Sequence, residues 1–99
     1  MRHMKATLVI RERMVFEDGA IIEIKVWRVV ERVPPSGHWL KYSLYYGRAG
    51  SRMVGYDNER GKGDHRHYDN REEPYQFRSI ERLLTDFRAD VERLRGEKI

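Results

Sequence analysis

The fold is decided by residues 14–27, which read MVFEDGAIIEIKVW. Apolar Ile22, Ile24 and Val26 alternate with polar residues, and a repeat of two is typical of a strand with one buried face. A turn signal, Asp18-Gly19, stands directly before this run. Apolar residues also recur at even positions before the turn; they are Ala6, Leu8, Ile10, Met14 and Phe16. The stretch therefore predicts an antiparallel hairpin.

Two more strands are predicted beyond this hairpin. Residues 34–37 read PPSG and predict a loop, because proline cannot donate to a strand ladder. Residues 39–46 resume the alternation, with Leu40 and Leu44 on one face. A glycine-containing turn follows, and residues 51–56 are long enough for a fourth strand antiparallel to the third.

Helical spacing replaces the alternation near the C-terminus. The apolar residues there are Ile80, Leu83, Leu84, Phe87, Val91 and Leu94. Ser79 is a suitable N-cap and Gly96 a suitable C-cap, so a helix is predicted over about 80–95. Strands followed by one helix predict an α+β fold: an antiparallel sheet of four to five strands with the C-terminal amphipathic helix packed on one face.

Length and composition limit the function. A chain of 99 residues predicts one domain over 1–99, too small for a two-domain enzyme or for a large buried cofactor, and we expect no cofactor. The absence of cysteine excludes disulfides and thiolate metal sites. Residues 1–5 lack the apolar stretch of a signal peptide and no apolar run is long enough for a membrane span, so a cytoplasmic protein is expected.

The charge is unevenly distributed. The chain carries a net +4, and 15 of its 20 basic residues are arginine, whose planar fork suits phosphate. RNA is therefore an expected partner, although a biased coding composition would give the same count. Residues 57–73 contain no Leu, Ile, Val, Phe, Met or Trp and carry four basic and six acidic side chains. This stretch is predicted to be a polar functional loop, and the remainder carries +6.

The densest chemical cluster is Asp64-His65-Arg66-His67-Tyr68. Two histidines two residues apart project to the same side of an extended chain, and Arg66 projects to the other. Such a pair can supply a base and an acid for metal-independent RNA cleavage, since RNA carries its own 2′-hydroxyl nucleophile. In this reading Asp57 orients a histidine. The candidate catalytic residues are His65, His67, Asp57, Arg66 and Tyr68.

Other side chains are candidates for binding the substrate. They are Lys62, Arg60, Asn58, Tyr56, Trp39 and Tyr45. The two cations would neutralise phosphate, and Trp39 and Tyr45 would stack on bases from the sheet face opposite Leu40. Two alternatives stay open. His65, His67 and Asp57 could instead hold a divalent metal for a metal-dependent nuclease, or the cluster is a solvated loop. The aromatic residues could equally fill a core or bind a protein.

Several of these motifs together resemble one family. Gly55-Tyr56-Asp57-Asn58 at a strand end, His65-Arg66-His67 in a polar segment and a short C-terminal helix resemble the TumE-like toxins of prokaryotic toxin-antitoxin pairs. The matching motif residues are Asp57, Asn58, His65 and His67. The resemblance implies a toxin that inhibits growth and is neutralised by a helix-turn-helix antitoxin encoded beside it. Ribonuclease activity is the expected chemistry, a non-catalytic RNA- or antitoxin-binding module is the alternative, and a homodimer is compatible with either.

Overall fold

The computed structural model describes residues 6–99 as a six-stranded antiparallel sheet with one helix. The strands are β1 (Ala6–Val15), β2 (Ile21–Val29), β3 (Leu40–Arg48), β4 (Ser51–Glu59), β5 (Gly63–Tyr68) and β6 (Arg71–Pro74), and the helix is α1 (Ile80–Arg95). Neighbouring strands follow the order of the chain. The predicted α+β architecture is confirmed, but the sheet has six strands rather than four to five. The expected absence of a leader concerns residues 1–5, which lie outside the described residues.

The predicted hairpin opens the sheet. β1 and β2 pair with Met14 opposite Ile22, and the Phe16 N–H donates to the Ala20 carbonyl at 2.8 Å to close the turn. Gly19 has φ of 87°, a left-handed conformation that glycine adopts without strain. As the alternation predicts, Ile22 and Val26 are buried.

The core lies between the sheet and α1. Leu83, Phe87 and Val91 of the helix are buried together with the even-numbered apolar residues of β2, β3 and β4. Both predicted caps are present: Ser79 Oγ accepts a hydrogen bond from the Arg82 N–H at 3.0 Å, and Gly96 ends the helix at φ 72°. No helix within residues 6–99 has the length and apolarity needed to cross a membrane.

The polar stretch 57–73 is not a loop, which corrects the sequence prediction. β4 continues through Glu59, and β5 and β6 form a second hairpin. Its two turn residues, Asp69 and Asn70, have φ of 52° and 62°, the geometry of a tight two-residue hairpin turn. The strands lack apolar residues because their inward side chains are satisfied by polar partners. Asp64 bonds Tyr42, and Arg66 bonds Asp90 of the helix.

Candidate functional site

The sheet has a face covered by α1 and a second face, here called the open face, and both histidines of the cluster lie on the open face. β5 pairs with β4 so that His65 lies opposite Asp57 and His67 opposite Gly55. β6 places Glu72 opposite His67. The two imidazole centroids are 5.4 Å apart. The prediction that both rings project to one side is confirmed.

His65 is buried and has an acceptor at each ring nitrogen. Its side chain is only 5% exposed, with Nε2 at 2.5 Å from Asp57 Oδ1 and Nδ1 at 3.1 Å from the Gly63 carbonyl. Asp57 Oδ1 is buried and has no aligned hydrogen-bond donor within residues 6–99, so its short distance to His65 Nε2 is a close contact rather than a well-aligned hydrogen bond. The geometry holds the ring in place and leaves neither nitrogen directed toward solvent.

His67 has different surroundings. Its side chain is 21% exposed, and Nε2 lies 3.0 Å from Nη2 of Arg52. A guanidinium can only donate, so Nε2 is the acceptor and carries no proton. Partial burial, together with the charge of Arg52, lowers the pKa of His67 below its ordinary value. Nε2 also lies 3.3 Å from Glu72 Oε2, an acceptor for the ring once it is protonated.

Gly55 makes the contact between Arg52 and His67 possible. A Cβ atom at position 55 would lie 2.7 Å from Cδ and 3.3 Å from Nε of Arg52, so the arginine side chain crosses the sheet over this glycine. Any larger residue would occupy the space. A glycine inside a strand is a known sign of such close approach.

A second cation lies beside the histidines. Lys62, in the turn after β4, places Nζ 2.9 Å from Glu72 Oε1, and the hydrogen bond from Lys62 lowers the pKa of Glu72. Lys62, His65 and Glu72 line a shallow depression of about 250 Å³ with Pro74. The open-face cluster, defined as Arg52, Asp57, Lys62, His65, His67 and Glu72, thus joins three strands and one turn.

Two overlapping groups of this region have the composition of metal sites. One is His65, His67 and Glu72, and the other is Asp57, Glu59 and His65; in each, the donor atoms lie within 4.8 Å of one another. Arg52 and Lys62 already contact Nε2 of His67 and Oε1 of Glu72, two atoms of the residues that would bind the ion. Their positive charges oppose a divalent cation at those atoms.

Arg66 and Tyr68, two of the sequence candidates, lie on the helix-covered face. Arg66 donates to both carboxylate oxygens of Asp90, at 2.8 and 2.9 Å, and also to Glu73. The ring of Tyr68 packs 4.8 Å from the Arg66 guanidinium. Both side chains are therefore separated by the sheet from His65 and His67, and the structure does not bring Arg66 to the open-face cluster.

Tyr56 and Asn58 are internal and bonded. The Tyr56 hydroxyl donates to Asp90 Oδ2 at 2.6 Å, and its ring is buried. Asn58 is fully buried, accepts from the Tyr42 N–H at 2.9 Å and donates to the Leu40 carbonyl at 2.8 Å. These bonds continue the β3–β4 pairing beyond its last backbone pair. Neither side chain can reach a substrate on the open face.

The remaining candidates stay accessible. Arg60 is exposed in the turn between β4 and β5. Tyr45 is half-buried on the open face, and its ring lies over Gly47, where a Cβ atom would clash with it. Trp39 is 49% exposed just before β3, with the Arg32 guanidinium 4.9 Å from its ring. Tyr45 lies opposite Gly55, which lies opposite His67, so these three share one row across the sheet.

Sequence reasoning missed Arg52 and Glu72. Gly55 could have indicated Arg52, because a glycine inside a strand often marks the close approach of another group, and an arginine stands three residues earlier. The signal for Glu72 was the Asp69-Asn70 pair, which is typical of a two-residue hairpin and places residue 72 opposite residue 67. Without β6 on the sheet, Glu72 could not be assigned to the site.

A hydrogen-bonded cluster around His38 was also missed, and its role is to hold two segments of the chain together. His38 Nδ1 accepts from the Leu40 N–H at 3.2 Å, so Nε2 carries the proton and donates to Asp64 Oδ2 at 2.6 Å. Ser36 and Tyr42 donate to the same carboxylate at 2.5 and 2.7 Å. With both nitrogens in use, this histidine fastens the segment 30–39 to β5.

One comparison with known proteins gives a family match. A family model described as "Toxin TumE" matches residues 2–95. No curated protein and no solved structure gives a significant match. The family match covers nearly the whole chain, including both hairpins and the helix, and it agrees with the resemblance carried by the Tyr-Asp-Asn and His-x-His motifs. The chain therefore belongs to the TumE toxin family.

Proposed function

We propose that this toxin is a metal-independent endoribonuclease that cleaves RNA on the open face with His67 as general base. One observation carries the proposal: Nε2 of His67, whose side chain is 21% exposed, carries no proton and lies 3.0 Å from the Arg52 guanidinium. The pKa of His67 lies below its ordinary value, so the ring is neutral at pH 7. A neutral imidazole beside a cation is suited to take a proton next to a phosphate.

The cleavage step uses the substrate's own nucleophile. Arg52 moves from His67 Nε2 to the phosphate, which frees the lone pair of that nitrogen to take the proton of a 2′-hydroxyl. The 2′-oxygen attacks the adjacent phosphorus, and the bond to the 5′-oxygen breaks as that oxygen takes a proton from water. Arg52 and Lys62 stabilise the extra negative charge on the phosphorane. The proton on His67 is then held by Glu72, 3.3 Å away, before it returns to solvent.

His65 is assigned a positioning role in this proposal. Its side chain is only 5% exposed and its two nitrogens face Asp57 and Gly63, so it cannot also contact the reacting atoms. The close contact with Asp57 fixes β5 against β4 at the residue pair next to His67. Asp57 accordingly orients the inner histidine, and His67 remains as the acid-base group within reach of substrate.

RNA would lie across the strands of the open face. Lys25, Lys41 and Tyr45 lie on this face, and the cations attract the phosphate backbone while the tyrosine ring stacks on a base. Strands are about 4.8 Å apart, so Tyr45 and His67 are about 10 Å apart across Gly55. Arg52 lies between them, where the phosphate would sit.

The partner and compartment follow from the same proposal. A toxin requires neutralisation, and the resemblance favours a helix-turn-helix antitoxin encoded beside it. The RNA substrate places the action in the cytoplasm. No cofactor is required, since Arg52 and Lys62 supply the positive charge that a metal would otherwise provide.

The test compares variants in growth arrest and in cleavage of a synthetic single-stranded RNA with and without EDTA. His67→Ala and Arg52→Ala should each abolish both activities, while Arg48→Ala, which removes an exposed arginine paired with Asp18, should leave them unchanged. An oligonucleotide lacking 2′-hydroxyls should bind without being cleaved. Cleavage that survives His67→Ala would disprove the base assignment.

Two other outcomes would identify the alternatives. Loss of cleavage in EDTA, restored by a divalent ion, would show that the group His65, His67 and Glu72 holds a catalytic metal. Tight RNA binding with no cleavage under any condition would show a non-catalytic binding module. Either result would overturn the proposal.

A further inference from the structure

The outer edge of β1 is the longer of the two sheet edges within residues 6–99. Within residues 6–99 no strand pairs with β1 on the side away from β2. The strand is ten residues long, whereas β6 at the other edge has only four residues. β1 has a bulge between Leu8 and Ile10, so residues 10–15 are the regular part of this edge. Regular edges invite pairing with another chain, and native proteins usually shorten, bulge or cover them.

This edge is also unusually apolar. Seven large apolar side chains are exposed in residues 6–99, and four of them belong to β1: Leu8, Val9, Met14 and Val15, at 49, 40, 48 and 61% exposure. Single exposed apolar residues are ordinary, but four on one strand, as one pair at each end with residues 10–13 between them, mark an interaction surface.

An apolar groove adjoins the edge on the helix-covered face. It has a volume of about 420 Å³, and its apolar lining includes Ile10 and Met14 of β1, Ile24 of β2, and Leu84 and Ile99 from the C-terminal region. Its charged lining residues are Glu12, Arg13 and Arg88. The groove is open because α1 packs over β4 and does not extend as far as β1. β1 lies three strands from β4, about 14 Å, whereas a helix with its side chains is only about 10 Å wide.

The other side of β1 is basic. Arg11 lies opposite Lys25 on the open face, and no acidic side chain of residues 6–99 pairs with either cation. Two like charges on facing strands repel, and an anionic side chain on an added strand would relieve this. The charge therefore favours acidic residues in whatever pairs with the edge.

We propose that β1 is a docking site for an extended segment of another protein in which apolar and acidic residues alternate. The segment adds a seventh strand, so that its backbone pairs with the outer edge of β1. Its apolar side chains extend the groove beside Ile10 and Met14, and its acidic side chains face Arg11. Alternation follows because successive side chains of a strand project to opposite faces.

A second copy of this chain fits less well. When two copies of β1 pair antiparallel about a two-fold axis, the same face of each strand lies on the same side of the joined sheet. If the axis passes through residue 11, 12 or 13, an arginine of one copy lies opposite an arginine of the other. The edge chemistry therefore favours a partner of different, acidic sequence.

The direction of the backbone N–H groups of β1 shows which residue to replace in order to weaken pairing at the outer edge. The Phe16 N–H points toward β2, and N–H groups alternate along a strand, so those of residues 11, 13 and 15 point outward. Val15→Pro removes one outward donor while leaving the pairing with β2 intact, and Val15→Ala is its matched control. Arg11→Glu reverses the charge.

The experiment titrates the full isotope-labelled chain with two synthetic heptapeptides and follows backbone NMR signals. One peptide alternates glutamate with valine or isoleucine, and the other has lysine in place of glutamate. We expect the acidic peptide alone to shift the signals of residues 6–15 and of Leu84 and Ile99. Arg11→Glu should weaken binding about tenfold and Val15→Pro about threefold, while Val15→Ala changes it little.

Several results would overturn this inference. They are equal binding of the two peptides, signal changes that avoid β1, the absence of binding, and a dimer of the chain that Val15→Pro dissociates. The inference does not rest on the proposed ribonuclease activity, because β1 and β5 lie four strands apart. His67→Ala should bind the acidic peptide as the unaltered chain does, so the two proposals fail separately.

Discussion

The guanidinium of Arg66 donates to both carboxylate oxygens of Asp90, and this ion pair joins β5 to the helix across the core. The Tyr56 hydroxyl and Arg93 donate to the same carboxylate, at 2.6 and 2.9 Å. Because neighbouring residues of a strand alternate in direction, fastening Arg66 to the helix directs His65 and His67 to the open face. A structural ion pair thus positions the candidate site without belonging to it.

Loss of this carboxylate should destabilise the fold. Asp90→Ala leaves Arg66 and Tyr56 without their shared acceptor in a site where Asp90 is only 5% exposed, and we expect a loss of about 3 kcal/mol in the free energy of unfolding. Urea denaturation measures it. Glu81→Ala, an exposed change in the first turn of the same helix, should cost less than about 1 kcal/mol. Equal losses for the two variants would contradict the role given to Asp90.

Stability should also fall in acid through Asp90. Burial raises the pKa of this carboxyl, but hydrogen bonds from Arg66, Tyr56 and Arg93 outweigh that effect and hold it below its ordinary value. A lowered pKa in the folded state means that the carboxylate stabilises the fold above about pH 4, the unfolded value, and that this contribution is lost as the pH falls through the folded value. Unfolding measured from pH 7 to pH 2 should show a smaller acid loss in Asp90→Asn.

Most of the fold was predictable because most of it obeys hydrophobic periodicity. The alternation at Ile22, Ile24 and Val26 and the helical spacing from Ile80 to Leu94 both reflect burial against one core. His65 and His67 were correctly placed on one side for the same geometric reason. These patterns depend only on the local direction of side chains.

β5 and β6 could not be predicted because their inward residues are polar. Asp64 and Arg66 project toward the core side, but Tyr42 and Asp90, from distant parts of the chain, supply their hydrogen bonds. Periodicity in apolar residues cannot reveal a strand stabilised in this way. The contact between Arg52 and His67 could not be predicted either, because the two residues lie on different strands and meet only through the β4–β5 register.

Filling the space at Gly55 should separate Arg52 from His67. In Gly55→Ala the new methyl group would meet Cδ of Arg52 at 2.7 Å, so the arginine side chain must move. We expect cleavage to fall about 100-fold, as for loss of one charge-stabilising donor, with less than about 1 kcal/mol change in the free energy of unfolding. Gly37→Ala, where a Cβ atom meets nothing within 4 Å, is the matched control. Full cleavage by Gly55→Ala would argue against Arg52 as a phosphate ligand.

The pH dependence of cleavage should report on His67. A base must be unprotonated, so the rate should rise with pH through the pKa of His67 and then level off, and the midpoint should lie below about pH 6.5 because burial and Arg52 lower that pKa. Arg52→Gln removes the positive charge, and its midpoint should move to higher pH. Cleavage rates of the unaltered chain between pH 4.5 and 8 test the first expectation. NMR titration of the His67 imidazole tests the second, since variants of Arg52 are expected not to cleave. An unchanged midpoint in Arg52→Gln, matching that of Arg48→Gln, would exclude the electrostatic coupling.

Binding and cleavage should separate between Tyr45 and His67. Tyr45 is two strands from His67 on the open face, where its ring can stack on a base without touching the reacting phosphate. Tyr45→Leu should weaken binding of a 2′-O-methylated oligonucleotide about tenfold, whereas His67→Ala should change it little. Tyr68→Leu is the matched control, since that ring lies on the helix-covered face against Arg66. Fluorescence anisotropy measures all three, and equal weakening by Tyr45→Leu and Tyr68→Leu would place the RNA elsewhere than on the open face.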